Sequence, residues 1–239
     1  MKNQYFGDTR DLFKYDLVLE ILLKNSFTDT FTFIPMLTKN EPSRYGARTD
    51  YSKATAGFRR RELKNFLEEC VEEGRRNIEE LERFFKQTRL TRRLSLRIYK
   101  NNEYFSNESR ERYFSEIEDH LLSASVILID PDIGLEVKSM KGREEKYVKY
   151  SEVKILYDRM DKNSVLAVFQ FIPRVKRQKY FSEISRKLKT SVGRTRVCYI
   201  SDNQIVFFIL TKNMKIQRLV MDIINKYGKS YNLIRADFD

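Results

Sequence analysis

Apolar residues recur every three or four positions in several segments of this chain, and that spacing predicts helices. Asp8 is suited to cap the first helix, because its side chain can accept hydrogen bonds from free backbone N–H groups. Gly228 is suited to end the last helix. The helical segments follow Asp8 and then run from about Arg60 to Gln87, from Ser109 to near Ser123, from Ser151 to about Met160, from Lys176 to Leu188, and through Ile216 to Tyr227.

Continuous apolar runs lie between the helical segments and indicate buried strands. They are FTFIPML at 31–37, LSLRIY at 94–99, VILID at 126–130, SVLAVFQF at 164–171, and the closely spaced pair RVCYI and QIVFFIL at 196–200 and 204–210. Strands that alternate with helices predict an α/β domain with a mainly parallel sheet. We therefore predict a single domain over residues 1–239, built as a three-layer α/β/α sandwich with a mainly parallel central sheet, a C-terminal hairpin and a final helix.

Polar residues follow three of the predicted strands at the point where each strand ends. Asn40 and Glu41 follow the first strand, Asp130 and Asp132 follow VILID, and Gln170 ends the fourth strand. Parallel sheets bind ligands beyond the carboxyl ends of their strands, so we expect these side chains to share one cleft. The carboxylates and the amide at 40 are the catalytic candidates.

Two of these features also have simpler structural explanations. Asp-Pro-Asp at 130–132 is turn chemistry and could only shape a turn. The N-terminal segment Asn3–Asp8 could line the cleft or only cap the first helix. Because polar residues end three strands rather than one, we favour a functional site, and we favour the cleft for the N-terminal segment.

Basic residues outnumber acidic ones, 46 against 34, and the formal net charge is +12. The basic residues concentrate in the segments 59–64, 89–97 and 174–194, the last of which includes Arg194. Such clusters are typical of surfaces that face phosphate backbones, although a merely solvated basic surface is the alternative. We expect DNA as the partner, with phosphates bound by Lys39, Lys138, Arg174, Lys176, Arg177 and Lys179.

Several classes of enzyme lack their required motifs here. Neither a GxGxxG nor a GxxxxGK[ST] pattern occurs, which argues against nucleotide kinases and dinucleotide enzymes and weakens a methyltransferase reading. The only histidine, His120, lies in a helical segment, so a Ser-His-Asp hydrolase is not expected. Cys70 and Cys198 have no cysteine or histidine nearby and are expected to be reduced, buried thiols rather than zinc ligands. We expect no metal and no cofactor.

The apolar pattern also bears on location. No run of eighteen apolar residues predicts a transmembrane helix, and the N-terminal sequence lacks the apolar core of a secretory signal. We expect a cytoplasmic monomer that does not bind membranes.

Hydrolysis of an N-glycosidic bond fits the remaining residues. That reaction needs a carboxylate or amide to position water, and negative charge to stabilise an oxocarbenium-like sugar. It also needs a pocket in which an extruded base stacks on an aromatic ring. The aromatic candidates near the strand ends are Tyr45, Tyr51, Phe169 and Phe171, and Gln170 is the candidate for reading the base.

Four segments resemble a little-characterised prokaryotic family in the same order. They are NQYFGDTRDLFKY at 3–15, PMLTKNE at 35–41, ILIDPDIGLEVKS at 127–139 and FQFIPR at 169–174. The layout is similar to that of the uracil-DNA glycosylase superfamily, and in size and sequence style to prokaryotic antiviral glycosylases that excise glucosylated hydroxymethylcytosine from phage DNA. The resemblance implies an α/β/α sandwich and a glycosylase that acts on a modified base.

The resemblance and the residue types favour different catalytic groups. In the superfamily the water-positioning motif follows the first strand, which favours Asn40 or Glu41. Residue type favours Asp130 and Asp132, which follow the third strand. The resemblance also implies a histidine where this chain has Phe171, so no histidine-dependent role is carried over.

Two alternatives stay open. Pro131-Asp132 followed by Glu152-Val153-Lys154 has the spacing of a PD-(D/E)xK nuclease, in which carboxylates hold Mg²⁺; Glu136 is a second candidate for the glutamate. That motif requires its Glu and Lys on a strand, whereas Glu152 opens a segment with helical spacing. A non-catalytic nucleic-acid-binding protein is the other alternative.

Overall fold

The computed structural model describes residues 1–42, 48–193 and 195–235, so Tyr45 and Arg194 lie outside the described residues. Seven α-helices are present in these ranges: α1 Thr9–Lys24, α2 Arg61–Glu72, α3 Glu80–Gln87, α4 Arg110–Ser115, α5 Tyr150–Arg159, α6 Arg177–Val192 and α7 Met214–Tyr231. The strands in the same ranges are β1 Thr30–Ile34, β2 Ser95–Ile98, β3 Ser125–Ile129, β4 Gly134–Leu135, β5 Tyr147–Val148, β6 Val165–Phe171, β7 Cys198–Ser201, β8 Ile205–Thr211 and β9 Ile234–Arg235.

The central sheet has the strand order β2-β1-β3-β6-β8-β7-β9. Strands β2, β1, β3 and β6 run parallel to one another. Strand β8 is antiparallel to β6, and β7 and β9 complete the antiparallel side. Strands β4 and β5 form a separate two-stranded ladder. The predicted α/β class with a mostly parallel sheet is confirmed, and so is the hairpin of β7 and β8.

Two apolar cores lie on opposite faces of the sheet, because alternate residues of a strand point to opposite sides. Val126 and Leu128 of β3 face the core that includes residues of α1, α2, α3 and α7. Ile127 and Ile129 face the core that includes residues of α4, α5 and α6. This arrangement gives the three layers of the sandwich.

The order of the strands determines where a ligand site is expected. The chain passes from β1 to β2 on one side of β1 and then returns to β3 on the other side. A crevice forms where the strand order reverses, at the carboxyl ends of the strands, and ligands bind there in open α/β sheets. In this protein that point lies between β1 and β3.

Two predicted helices have different bounds in the structure. The segment 60–87 is two helices, because Gly74 adopts a left-handed φ of +68° after α2 and a loop separates it from α3. The segment after Ser109 is helical only to Ser115, and Ser109 does not cap it with its side chain. A short 3₁₀ turn at Asp119–Leu122 follows.

The predicted boundaries of α5 and α7 were also wrong. The cap position of α5 is Lys149 rather than Ser151, and the Glu152 carboxylate accepts a hydrogen bond from the Lys149 N–H at 2.7 Å. Helix α7 continues past Gly228 to Tyr231, and Asn232, which caps it, takes the left-handed conformation at φ 56°. Gly228 instead provides space, since a Cβ there would lie 3.0 Å from the Cδ of Arg235.

Candidate functional site

A small cleft with a volume of about 40 Å³ lies at the carboxyl ends of the parallel strands, at the point where the strand order reverses. Four carboxyl groups line it: Asp8 and Asp11 from the start of α1, and Asp130 and Asp132 from the loop after β3. That volume is well below the roughly 300–1,000 Å³ of ligand pockets and has room for a few water molecules. The cleft would therefore have to open to admit a nucleobase.

The N-terminal segment folds into this cleft. The backbone nitrogen of Met1 donates hydrogen bonds to the carbonyl oxygens of Met36 at 3.1 Å and of Asp130 at 3.2 Å. Tyr5 and Asp8 line the cleft, so the segment Asn3–Asp8 contributes to it as well as capping α1. Met36, just after β1, has a left-handed φ of 39°, and backbone strain of this kind is concentrated at functional sites.

A buried lysine joins α1 to the loop after β3. Lys14 Nζ lies 2.7 Å from Asp11 Oδ1 and 2.7 Å from Asp130 Oδ2, and all three side chains are buried. Burial alone would lower the pKa of the Lys14 ammonium, but the two carboxylates outweigh it and raise this pKa above its usual range. Burial raises the pKa of Asp130, and Lys14 opposes that rise. Lys14 therefore stays charged and neutralises part of the negative charge that the carboxylates bring to the cleft.

A second lysine binds the other aspartate of the loop. Lys2, which is only 2 % exposed, forms an ion pair with Asp132, and its Nζ lies 3.5 Å from Glu41 Oε1. Glu41 also pairs with Lys146. Burial would raise the pKa of Asp132, but the charge of the Met1 amine and the hydrogen bond and charge of Lys2 outweigh it, and this pKa lies below its ordinary value. Burial lowers the pKa of the Met1 amine to about 6, so Lys2 is the main cation beside Asp132 at neutral pH. Asp132 is therefore an ionised carboxylate at neutral pH.

Asp8 has the opposite electrostatic environment. Its Oδ1 caps α1 by accepting hydrogen bonds from the N–H groups of Arg10 at 2.8 Å and Asp11 at 3.0 Å. Burial, and then the charge of Asp11, raise the pKa of Asp8 to about 7. Two nearby carboxyl groups whose environments move their pKa values apart are typical of acid–base sites.

Asp8→Asn is expected to remove a pH dependence of stability. The pKa of Asp8 is raised from 3.8 in the ordinary state to about 7 in the fold. The stability that protonated Asp8 contributes is therefore complete below about pH 4 and is lost as pH rises through about 7, by up to about 4 kcal/mol. Asn keeps the helix cap and does not ionise. Urea unfolding at pH 4.5 and pH 8 should show a smaller fall in the free energy of unfolding for the variant than for the unmodified protein.

The control for this prediction is another capping aspartate. Asp50 is exposed, its side chain accepts a hydrogen bond from the N–H of Ser52, and its pKa is lowered to about 2 by its hydrogen bonds to Lys53 and Ser52. The shifted pKa of Asp50 affects stability only below about pH 4. Asp50→Asn should therefore leave the change in the free energy of unfolding between pH 4.5 and pH 8 as it is in the unmodified protein. If the free energy of unfolding fell equally with pH in Asp8→Asn and in the unmodified protein, Asp8 would be shown to have an ordinary pKa.

Aromatic rings form one wall of the cleft. The rings of Phe169 and Phe171 meet edge to face with centroids 5.0 Å apart, and Tyr5 also lines the cleft. The guanidinium of Arg10 lies over Phe171 at 4.7 Å from the ring centroid. Gln204, in the turn between β7 and β8, accepts a hydrogen bond from Arg10 Nε at 3.3 Å. The wall thus combines apolar rings with the guanidinium of Arg10, which Gln204 keeps in place.

The structure brings four of the predicted site residues into the cleft: Asp130, Asp132, Phe169 and Phe171. Asn40 and Glu41 lie beside it rather than in its lining. Asn40 Oδ1 accepts a hydrogen bond from the Gln4 N–H at 3.2 Å, and the Glu41 N–H donates to Gln4 Oε1 at 2.7 Å. These two residues therefore hold the N-terminal segment in place.

Gln170 and Tyr51 do not line the cleft. Gln170 faces the opposite layer, where its Oε1 accepts a hydrogen bond from the Leu135 N–H at 2.7 Å. It packs against Gly134, which has a φ of +145° and where a Cβ would lie 2.4 Å from Gln170 Oε1. Tyr51 is buried in the core, and its hydroxyl donates to the carbonyl oxygen of Gly7. Strand periodicity could have separated Gln170 from Phe169 and Phe171, since neighbouring residues point to opposite faces.

All six predicted phosphate-binding residues are exposed: Lys39, Lys138, Arg174, Lys176, Arg177 and Lys179. Arg177 donates a hydrogen bond from Nη1 to Asn203 Oδ1 at 2.7 Å. Among the residues that the structure describes, the other five form no ion pair. Arg174 and Lys176 follow β6 directly and lie at the same edge of the sheet as the cleft.

Three residues of the cleft were not among the predicted site residues: Lys2 and Lys14, which neutralise part of its negative charge, and Asp11, which pairs with Lys14. A signal was present in α1, where Asp8, Asp11 and Lys14 recur every three residues within a helix whose other residues are largely apolar. Such spacing places charged groups on one face. A charged face on a helix that is buried nearly all round indicates partners inside the protein.

The residues proposed for a nuclease site have other contacts. Glu152 lies on α5 and pairs with Arg110 at 2.6 Å, and Glu136 Oε1 accepts a hydrogen bond from the Tyr150 N–H at 2.8 Å. Across residues 1–42, 48–193 and 195–235, no group of three or more His, Cys, Asp or Glu side chains is arranged to hold a metal ion. His120 is exposed and lies beside Glu118.

Comparison with known proteins identifies no family for this chain. No protein-family model matches the chain, and a search of curated proteins finds no similar sequence. None of the helices in the described part of the chain combines the length and apolarity needed to span a bilayer. The fold and the cleft define an α/β protein with a charged, aromatic-walled crevice at the switch point of a mostly parallel sheet.

Proposed function

We propose that the protein is a DNA glycosylase that hydrolyses the N-glycosidic bond of a modified base and leaves an abasic site. The observation that carries the proposal is one cleft that combines an ionised carboxylate, Asp132, a carboxyl group with a pKa of about 7, Asp8, and a wall of aromatic rings. The resemblance in the segments at 3–15, 35–41, 127–139 and 169–174 supports the same activity.

The two carboxyl groups have different roles in this reaction. Breaking the bond between C1′ and the base nitrogen leaves positive charge on the sugar, and the bonding electron pair leaves with the base. Asp132, whose pKa is lowered, stabilises that positive charge as a permanent anion. Asp8, with a pKa of about 7, is half deprotonated near neutral pH and accepts a proton from the attacking water. Its Oδ2 has Arg10 Nη1 as a neighbour at 3.4 Å.

The aromatic wall supports recognition of an extruded base. A glycosylase must take the base out of the duplex and hold it by stacking and by contacts to its edge. Phe169, Phe171 and Tyr5 line the cleft, where Arg10 covers one face of Phe171 and Lys14 lies 5.1 Å from the centroid of Phe169. Stacking of a base on Phe171 therefore requires Arg10 to move or the base to use the other face. The exposed cations at 174–179, at the same edge of the sheet, are suited to hold the phosphates on either side.

The arrangement of the carboxylates favours this proposal over a Mg²⁺-dependent nuclease. A two-metal or one-metal nuclease presents carboxylate oxygens that are free to bind Mg²⁺. Here Lys14 bridges Asp11 and Asp130, and Lys2 binds Asp132. Protein cations thus already pair with Asp11, Asp130 and Asp132, and a metal ion would have to compete with them.

We propose that the substrate is DNA with modified cytosines, such as phages carry, and that the protein acts as a cytoplasmic monomer in antiviral defence. The test is incubation with duplexes that contain cytosine, hydroxymethylcytosine or glucosylated hydroxymethylcytosine, in EDTA and in Mg²⁺. We expect free base by mass spectrometry and alkali-labile abasic sites in EDTA. Strand breaks that need Mg²⁺ and no alkali would indicate a nuclease, and binding without reaction on every duplex would indicate a non-catalytic protein.

A further inference from the structure

The outward face of α6 is rich in basic residues. The apolar residues of this helix, Phe181, Ile184, Leu188 and Val192, are buried against the sheet. The exposed cations on the helix and just before it are Arg174, Lys176, Arg177, Lys179, Arg186, Lys187 and Lys189. The only acidic residue of α6 is Glu183, and Lys187 pairs with it at 2.8 Å. The charge of this face is therefore strongly positive.

We infer that this face carries the phosphate backbone of the duplex that flanks the target base, an inference that rests on the proposed glycosylase function. Helix α6 begins six residues after Phe171, at the edge of the sheet that holds the cleft, and runs back across the outer layer. Its 16 residues span about 24 Å at about 1.5 Å per residue. That length covers about seven base pairs of DNA at about 3.4 Å each.

The chemistry of the face favours nucleic acid over a lipid surface. A helix that binds a membrane surface inserts an apolar face into the lipid. The apolar face of α6 is already buried in the protein core, and Val175 is the large apolar residue exposed near its start. What remains is a hydrated row of cations, which suits a polyanion held through its phosphates.

The experiment compares two variants that lose the same charge. The first is Lys179→Ala/Arg186→Ala/Lys189→Ala on α6. The second is Arg89→Ala/Arg92→Ala/Arg93→Ala, which lies before β2 at the opposite edge of the sheet and whose side chains are also exposed. Binding to an unmodified 30-base-pair duplex is measured by fluorescence anisotropy over a range of salt concentrations.

We expect a shallower fall of the logarithm of the DNA-binding constant with the logarithm of salt concentration in the α6 variant. The magnitude of the slope should decrease by about 3, since each lost phosphate contact removes about 0.9 from it. The variant at the opposite edge should keep the slope of the unmodified protein. Equal losses in both variants, no loss in the α6 variant, or no duplex binding by the unmodified protein would overturn the inference. So would retention of duplex binding by the α6 variant with loss of binding to vesicles that contain anionic lipid.

The test separates this inference from the proposed function, because it uses unmodified DNA and measures binding only. A protein that binds through α6 but releases no base contradicts the glycosylase proposal alone. A protein that releases base while the α6 variant keeps its salt slope contradicts the inference alone.

Discussion

Asp132→Asn is expected to lower the rate of base release about 10³-fold while the protein stays folded. The substitution keeps the size and shape of the side chain but removes the negative charge that, in the proposed glycosylase reaction, stabilises the developing sugar cation. Lys2 then keeps Glu41 as a partner, with Nζ 3.5 Å from Oε1, so the buried ammonium is not left alone. Single-turnover base release at saturating protein measures the chemical step directly.

The matched control is Asp158→Asn. Asp158 is an exposed aspartate on α5 that pairs with Lys154, four residues earlier on the same helix, and it does not line the cleft. We expect this variant to release base at the unmodified rate. Unchanged activity in Asp132→Asn, with the Asp158 variant equally active, would exclude Asp132 as the group that stabilises the cation.

Lys14→Met is expected to lower the free energy of unfolding by about 3–5 kcal/mol. Met has a similar length, so the packing is largely retained, but the charge between Asp11 and Asp130 is lost. Two buried carboxyl groups are then left without the ammonium that lies 2.7 Å from each of them. Urea unfolding at pH 7 measures the loss. Lys154→Met, which breaks an exposed pair, should cost less than about 1 kcal/mol.

The loss in Lys14→Met should also depend on pH. Without Lys14 the buried carboxyl groups bind protons more tightly in the folded than in the unfolded chain. Their protonated forms are favoured at acid pH, so the destabilisation is smallest there and grows as pH rises above about 4. The triple variant Lys14→Met/Asp11→Asn/Asp130→Asn should recover much of the stability at pH 7. A loss below 1 kcal/mol in Lys14→Met would show that the bridge contributes little.

Local patterns accounted for most of the secondary structure. The strand VILID could be placed because its residues are apolar on both faces, as expected for a parallel strand covered by two layers. The cap at Asp8 and the turn between β7 and β8 could be placed because their chemistry involves neighbouring residues only. Gly228 could not, because the reason for a glycine there is the side chain of Arg235 in a separate strand.

The candidate site likewise has features that are local in the sequence and features that only the fold creates. The sequence by itself determined that acidic residues follow β3 and that aromatic residues alternate along β6, since both are properties of single segments. Only the tertiary structure decided that Lys14 meets Asp130, 116 residues away, and that Lys2 meets Asp132, 130 residues away. Ion pairs of this kind have no local periodicity, because the fold and not the spacing along the chain brings the two charges together. The pKa of Asp132 is lowered in part by its contact with Lys2, and that of Asp8 is raised chiefly by burial. Both causes exist only in the folded protein, so the protonation states of the cleft were decided by the fold.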